Sequence, residues 1–272
     1  MTESDKVFSG SIPELYDSYL VPLIFEAYAE DLAKRVAKLK PMTVLETAAG
    51  SGVVTRAVAS RLRKDARYFV TDLNQPMLDH ASGKQGEDER ISWRQADALK
   101  LPFEDCFFDV VLCQFGAMFF PDRIAGYKEA YRVLKPGGQF LFNVWDRIDA
   151  NEFAKMATEA ATAVFPEDPP LFLARTPHGY HDVAKIKNDV EAAGFAKISI
   201  ETKAETSVAP SPRHPAVAYC QGTPLRNEIE ARDASLLEMV TDRAEEAIAA
   251  RFGSANVAGK IRGHVITAVR DD

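Results

Sequence analysis

The sequence predicts an open α/β sandwich, a mostly parallel sheet with helices on both faces. Three observations carry that reading. Short β-type apolar runs alternate with helical patterns from Thr43 to Trp145, as expected when crossover helices join parallel strands. The stretch VLETAAGSGVVT, Val44 to Thr55, places an acid and two glycines in a turn between a strand and a helix, where backbone can approach a ligand closely. The chain has 272 residues, of which 46% are hydrophobic and 27% charged, so it can bury one large core with an accessory part.

The elements follow in order. Ser11 with Glu14 three positions later has the form of a capping box, and Pro22 is expected to separate a short first helix from a second. Phe25, Tyr28, Leu32, Val36 and Leu39 recur at helical spacing in that second helix. Residues 43–47 read as a buried strand, 53–62 as a helix, 68–71 as a strand, 75–82 as a helix and 91–95 as a strand. After DALKLPF comes the strand FDVVLCQF. A helix over 121–134 follows, and the turn KPGG feeds the strand QFLFNVW. Beyond Asp146, a helix over 151–164 leads into a proline-rich stretch, and a helix over 183–193 ends at Gly194, a fitting residue to follow a helix C-terminus. AKISIETKAET and GHVITAVR read as strands flanking a mainly helical region, 215–251, which is expected to cap the carboxyl edge of the sheet.

Charge and composition exclude several functions. The net charge is −7 with no basic stripe, which disfavours a nucleic-acid partner. No apolar run reaches the roughly 20 residues that span a bilayer. Three cysteines without metal-type spacing and an N-terminus without a secretory pattern suggest a cytoplasmic protein, and the negative charge points to a small-molecule substrate. A homodimer is compatible with these features.

The loop chemistry points to a nucleoside. Gly50 and Gly52 permit close approach of backbone, the helix after them offers free N–H groups, and Asp72 at the tip of the next strand stands where an acid reaches ribose hydroxyls. A dinucleotide site would want a third glycine where Thr55 stands, and Glu46 would repel a pyrophosphate but welcome an amino group. An NAD(P)-dependent oxidoreductase is therefore the weaker alternative. A protein that binds S-adenosylmethionine without catalysis is another.

VLETAAGSGVVT, VTDLNQPML, QADALKLPFEDCFFDVVLCQFGAMFFPD and EAYRVLKPGGQFLFNVWD, in this order, resemble the motifs of the class I S-adenosylmethionine-dependent methyltransferases, in particular their ubiquinone and menaquinone biosynthesis branch. The resemblance covers about Val44 to Asp146. It implies a Rossmann-like seven-stranded sheet of order 3-2-1-4-5-7-6 with strand 7 antiparallel, and a helical lid. By that likeness Glu46, Ala48, Gly50 and Ser51 would line the methionine end of the cofactor, with Gly52 closing the bend. Asp72 would hold the ribose, Leu73 and Met77 would flank the adenine, Asp97 and Ala98 would bond its edge, and Gln114 and Phe115 would border the sulfonium. Ala48 stands where the family commonly has glycine, and is tolerable if its φ stays negative.

The organisation expected is an N-terminal helical lid over 1–40, a cofactor-binding core over 41–146, and lid insertions with the final strands over 147–272. Tyr16 and Tyr19 are candidate lid residues touching cofactor or acceptor. His178 and His181, with Tyr16, are the candidates for catalysis should the acceptor need to lose a proton. Residues 114–120, QFGAMFF, would give the acceptor an apolar floor, and Arg175 could hold an acidic group. The function expected is methyl transfer by in-line displacement to a largely apolar small molecule.

Overall fold

The computed structural model describes residues 15–271. The capping-box pair Ser11 and Glu14 lies outside them. A π-helical segment, Tyr16–Phe25, runs without a break into α1 (Glu26–Leu39), so Pro22 lies inside a helical run instead of dividing two helices. The wide winding, with bonds reaching five residues back, accommodates a ring and a missing N–H that a regular α-turn would not.

From there the predicted alternation holds: β1 (Thr43–Glu46), α2 (Val53–Ala59), β2 (Arg67–Asp72), α3 (Gln75–Gln85), β3 (Ile91–Gln95), β4 (Phe108–Gln114), α4 (Arg123–Val133) and β5 (Leu134–Trp145). Then come α5 (Glu152–Val164), α6 (Phe172–Arg175), α7 (Val183–Ala192), β6 (Lys197–Ala209), α8 (Arg213–Cys220), α9 (Leu225–Asp233), α10 (Leu237–Phe252) and β7 (Val257–Val269). The sheet has seven strands in the order β3-β2-β1-β4-β5-β7-β6. β1 to β5 pair in parallel. β7 is antiparallel to β5: Gly137 N–H donates to Arg270 at one end, whereas Asp146 N–H donates to Arg262 at the other, so residue numbers run oppositely along the pair.

Two details differ from the sequence reading. KPGG is part of β5, not a turn before it: the register shifts between Phe108 and Val110, where the partner advances from Leu134 to Gln139, making Lys135 to Gly138 a bulge with Gly137 at φ +75°. β7 starts at Val257, so His264 sits within the strand, its Nδ1 3.0 Å from Thr202 Oγ1. Gly194 does follow α7 with a left-handed φ of +109°.

By compactness the chain divides into two units. One comprises 26–144, 182–202 and 264–271. Within it α1, α2 and α3 form one helical layer, and α4 packs with α7 in another. Tyr127 on α4 lies against Phe140 and Phe142 of β5 at centroid distances of 5.7 and 5.0 Å, anchoring that second layer to the sheet. The other unit comprises 15–25, 145–181 and 203–263, and its core is α10 packed on α5 and α8. There Phe153 meets Phe252 edge to face at 5.4 Å.

Candidate functional site

Strand order reverses between β1, which pairs with β2 on one side, and β4 on the other. In such sheets the crevice at the carboxyl ends beside the reversal is where ligands settle. The loop 47–52 lies there. Glu46 at the tip of β1 is 1% exposed, and its Oε2 accepts hydrogen bonds from the Tyr68 hydroxyl and, at 2.7 Å, from the Thr55 hydroxyl. The residue that breaks the dinucleotide pattern thus holds the acid at the strand tip. Burial raises the Glu46 carboxyl to about 7 against the opposing pull of those two donors.

The loop backbone enters the left-handed region in three places. Ala48 has φ +53°, Gly50 +57° and Gly52 +77°. The condition of a negative φ at Ala48 is therefore not met. The bend demands a left-handed residue there, which costs a side-chain-bearing residue roughly 1–2 kcal/mol. The two glycines differ. A Cβ on Gly50 would meet little, with Met77 Cε 3.8 Å away, whereas a Cβ on Gly52 would lie 2.9 Å from the Ala81 Cβ on α3. Gly52 is required by helix packing, and Gly50 by the turn.

Asp72 ties the loop to the tip of β2. Its Oδ2 accepts the Gly50 N–H at 2.8 Å and its Oδ1 the Asn74 N–H at 2.8 Å. It is 6% exposed, and burial raises its pKa despite these bonds. Oδ1 also takes the Asn74 side-chain N–H at 3.4 Å, which leaves Oδ2 with a further lone pair. Leu73 beside it is exposed, and Met77 is buried under the loop. Asp97 is exposed and accepts the Leu99 N–H at 2.9 Å, shaping the turn that carries Ala98. Gln114 ends β4 half-buried. Phe115 follows at φ +50°, with its ring edge on Tyr28 at 5.1 Å. Ser51 is 2% exposed and its Oγ has no hydrogen-bond partner, an orphan hydroxyl in the middle of the bend. An acid, a polar orphan, a left-handed bend and a second acid at the next strand tip form a donor set suited to an aminoacyl nucleoside.

Of the other candidates, Tyr16, Tyr19, Arg175, His178 and His181 belong to the second unit, and the apolar floor to the first. Tyr16 stacks on Phe25 at 5.2 Å, and Tyr19 lies 4.7 Å from the His214 ring. His178 is buried, and its Nδ1 is 2.8 Å from the Asp146 carbonyl, so Nδ1 carries the hydrogen and Nε2 the lone pair. Burial lowers its pKa to about 4, which keeps it neutral and makes it a poor match for proton abstraction near neutrality. His181 Nδ1 is 2.8 Å from the His178 carbonyl. Arg175, read as a possible anion holder, is paired with Glu228 at 2.7 Å. Of the apolar floor, Met118 is buried and Phe120 covers Gly126 on α4, where a Cβ would come within 2.6 Å of its ring.

A groove of about 350 Å³ opens at the opposite edge, lined by Lys40, Met42, Asp109, Lys135 and Gly137. It lies at the amino ends of β1, β4 and β5, and its acid is already matched: Lys135 Nζ is 2.7 Å from Asp109, which also accepts the N–H groups of Met42 and Thr43. Its position removes it from the strand tips.

Residues 45–142 match a methyltransferase-domain family. The ubiquinone/menaquinone biosynthesis C-methyltransferase of Idiomarina loihiensis is 30% identical over 175 residues, 59% of this chain and 68% of that protein. The enzyme of the same description from Caulobacter vibrioides is 30% identical over 183 residues, covering 60% and 72%. Among solved structures, a putative methyltransferase from Bacillus halodurans superposes with a TM-score of 0.59 at 19% identity over 89% of this chain and 99% of that one. Phosphoethanolamine N-methyltransferase 2 of Haemonchus contortus, solved in complex with S-adenosyl-L-methionine, has a TM-score of 0.54 at 18% identity, covering 89% and 53%.

Proposed function

Since the chain belongs to the class I S-adenosylmethionine-dependent methyltransferases, we propose that the loop 46–52 and the tip of β2 hold its cofactor and that its methyl acceptor is a largely apolar small molecule. It is an S-adenosylmethionine-dependent methyltransferase. When bound, that cofactor supplies a methyl group activated on a sulfonium. The protein's task is to hold the methyl and an attacking lone pair in line and to keep water away, a positioning effect worth about 7–11 kcal/mol in favourable cases.

In this reading Glu46 receives the ammonium, the Ser51 hydroxyl and the backbone after Gly50 face the carboxylate, and Asp72 accepts from the ribose hydroxyls, chiefly through Oδ2. Leu73 and Met77 flank the adenine, Asp97 and Ala98 read its edge, and Gln114 and Phe115 border the sulfonium. The observation that carries the assignment is the pairing at the strand tips: a buried acid with only one oxygen committed to the Tyr68 and Thr55 donors, beside an orphan hydroxyl.

The apolar acceptor rests on the ring-rich β4 end and on relatives whose printed descriptions name ubiquinone and menaquinone biosynthesis. Among the described residues no helix is long and apolar enough to cross a membrane. The three free cysteines favour a reducing, cytoplasmic setting, and the net charge of −7 disfavours a nucleic-acid partner. Labelled methyl transfer to a panel separates the acceptor classes: a reduced naphthoquinone should be methylated, and transfer only to hydrophilic amines would overturn the apolar reading.

A further inference from the structure

Asn143 lies on β5 in register with Gln114 of β4 and shares its face of the sheet. It is fully buried. Its Oδ1 accepts the Phe115 N–H at 3.2 Å, and that contact fixes which way the amide points, because an N–H needs an oxygen opposite it. The Nδ2 group then carries two donors that have no partner. An unpaired buried amide is among the costlier features a core can retain, and it is not needed to hold the strand end. The same Phe115 N–H also reaches the Asn143 main-chain carbonyl at 3.1 Å.

The strand ladder says what those donors can meet. Glu46 is level with Leu112, and Leu112 with Leu141, so Asn143 stands two residues nearer the carboxyl edge than Glu46. It is also two strands away, roughly 10 Å across the sheet. The ribose-holding tip of β2 lies on the other side of β1. A molecule running from β2 across β1 to a sulfonium at the tip of β4 stops one strand short of β5, so the group that meets Asn143 beyond the methyl belongs to the second reactant.

We propose that Asn143 recognises the methyl acceptor, donating from Nδ2 to a ring oxygen, carbonyl or phenolic, and so setting which ring carbon or heteroatom faces the methyl group. The proposal rests on the cofactor reading given above. It makes Asn143 a specificity-determining residue, with Phe115 held in its left-handed conformation beside it.

Binding to the protein loaded with S-adenosylhomocysteine tests this, with anaerobic 1,4-dihydroxynaphthalene as probe and naphthalene as the oxygen-free control. Wild type should prefer the diol. Asn143→Leu should weaken the diol at least tenfold, leave naphthalene and S-adenosylhomocysteine unchanged, and melt at the same or a higher temperature, since it removes an orphan donor. Asn143→Asp, which keeps an oxygen toward Phe115, gives the same loss should the leucine variant fail to fold. Unchanged diol affinity, equal loss for both rings, no preference in wild type, or a lower melting temperature with S-adenosylhomocysteine still bound would each overturn the proposal. Failure of wild type to take S-adenosylhomocysteine would instead bring down the cofactor reading, and this proposal with it.

Discussion

Glu46 governs how the site responds to pH. Its native carboxyl holds a proton up to about 7, against an ordinary value of 4.5. Between those values the native state therefore binds more protons than the unfolded chain, and stability falls as pH rises across that window. An ammonium beside Glu46 favours the ionised form. Affinity for S-adenosylhomocysteine is thus expected to climb from pH 5.5 to about 7 and then level, with proton release on binding below 7. Calorimetry in buffers of different ionisation enthalpy reads both, and Glu46→Gln should flatten the profile. A profile flat in wild type would remove Glu46 from the site. Ala48 is a second residue-scale test. Relief of its left-handed strain, roughly 1–2 kcal/mol, is partly offset by the freer unfolded chain, so Ala48→Gly should leave stability unchanged or raise it by up to about 1 kcal/mol in denaturant melts.

At the scale of elements, the bend between β1 and α2 is shaped as much by α3 as by any ligand. Gly52→Ala would push a methyl against Ala81 at φ +77°, and a loss of about 2 kcal/mol or more is expected in thermal melts, whereas exposed Gly83→Ala on α3, whose Cβ would meet nothing, should be neutral or stabilising. Such elements were legible in the sequence to different degrees. The alternation of strands and helices from Thr43 to Trp145 was readable because β1, β2, β4 and β5 carry apolar runs bounded by turn signals, and β3 alternates apolar Ile91 and Trp93 with polar residues. The π-helical passage through Pro22 was not, since a proline reads as a break unless the winding around it is known. Nor was the bulge in β5, where KPGG looks like a turn but the ladder resumes on either side. In the site, Glu46 and Asp72 were legible from position alone, as acids at strand tips. The Glu46 partners Tyr68 and Thr55, and the orphan donors of Asn143, appear only once distant residues are brought together, because nothing local in the sequence marks a buried amide as unpaired.

At the scale of the whole molecule, the chain divides into two compact units. The unit with β1 to β4 carries the strand-tip residues proposed for the cofactor, Glu46 to Phe115, while the lid candidates Tyr16 and Tyr19 and the histidines His178 and His181 lie in the other. His178 there bonds a strand-end carbonyl, so His178→Ala is expected to cost about 1–3 kcal/mol of stability, read by denaturant melts, with S-adenosylhomocysteine affinity unchanged.

The claim on which the account depends is that the tips of β1 and β2 grip one aminoacyl nucleoside. Titrating S-adenosylhomocysteine into wild type and into Asp72→Ala by calorimetry, with NAD as control, tests it most directly. The account predicts micromolar binding to wild type, a loss of about 1–3 kcal/mol in the variant and no heat from NAD. Equal affinity in the two proteins, or binding of NAD alone, would contradict it.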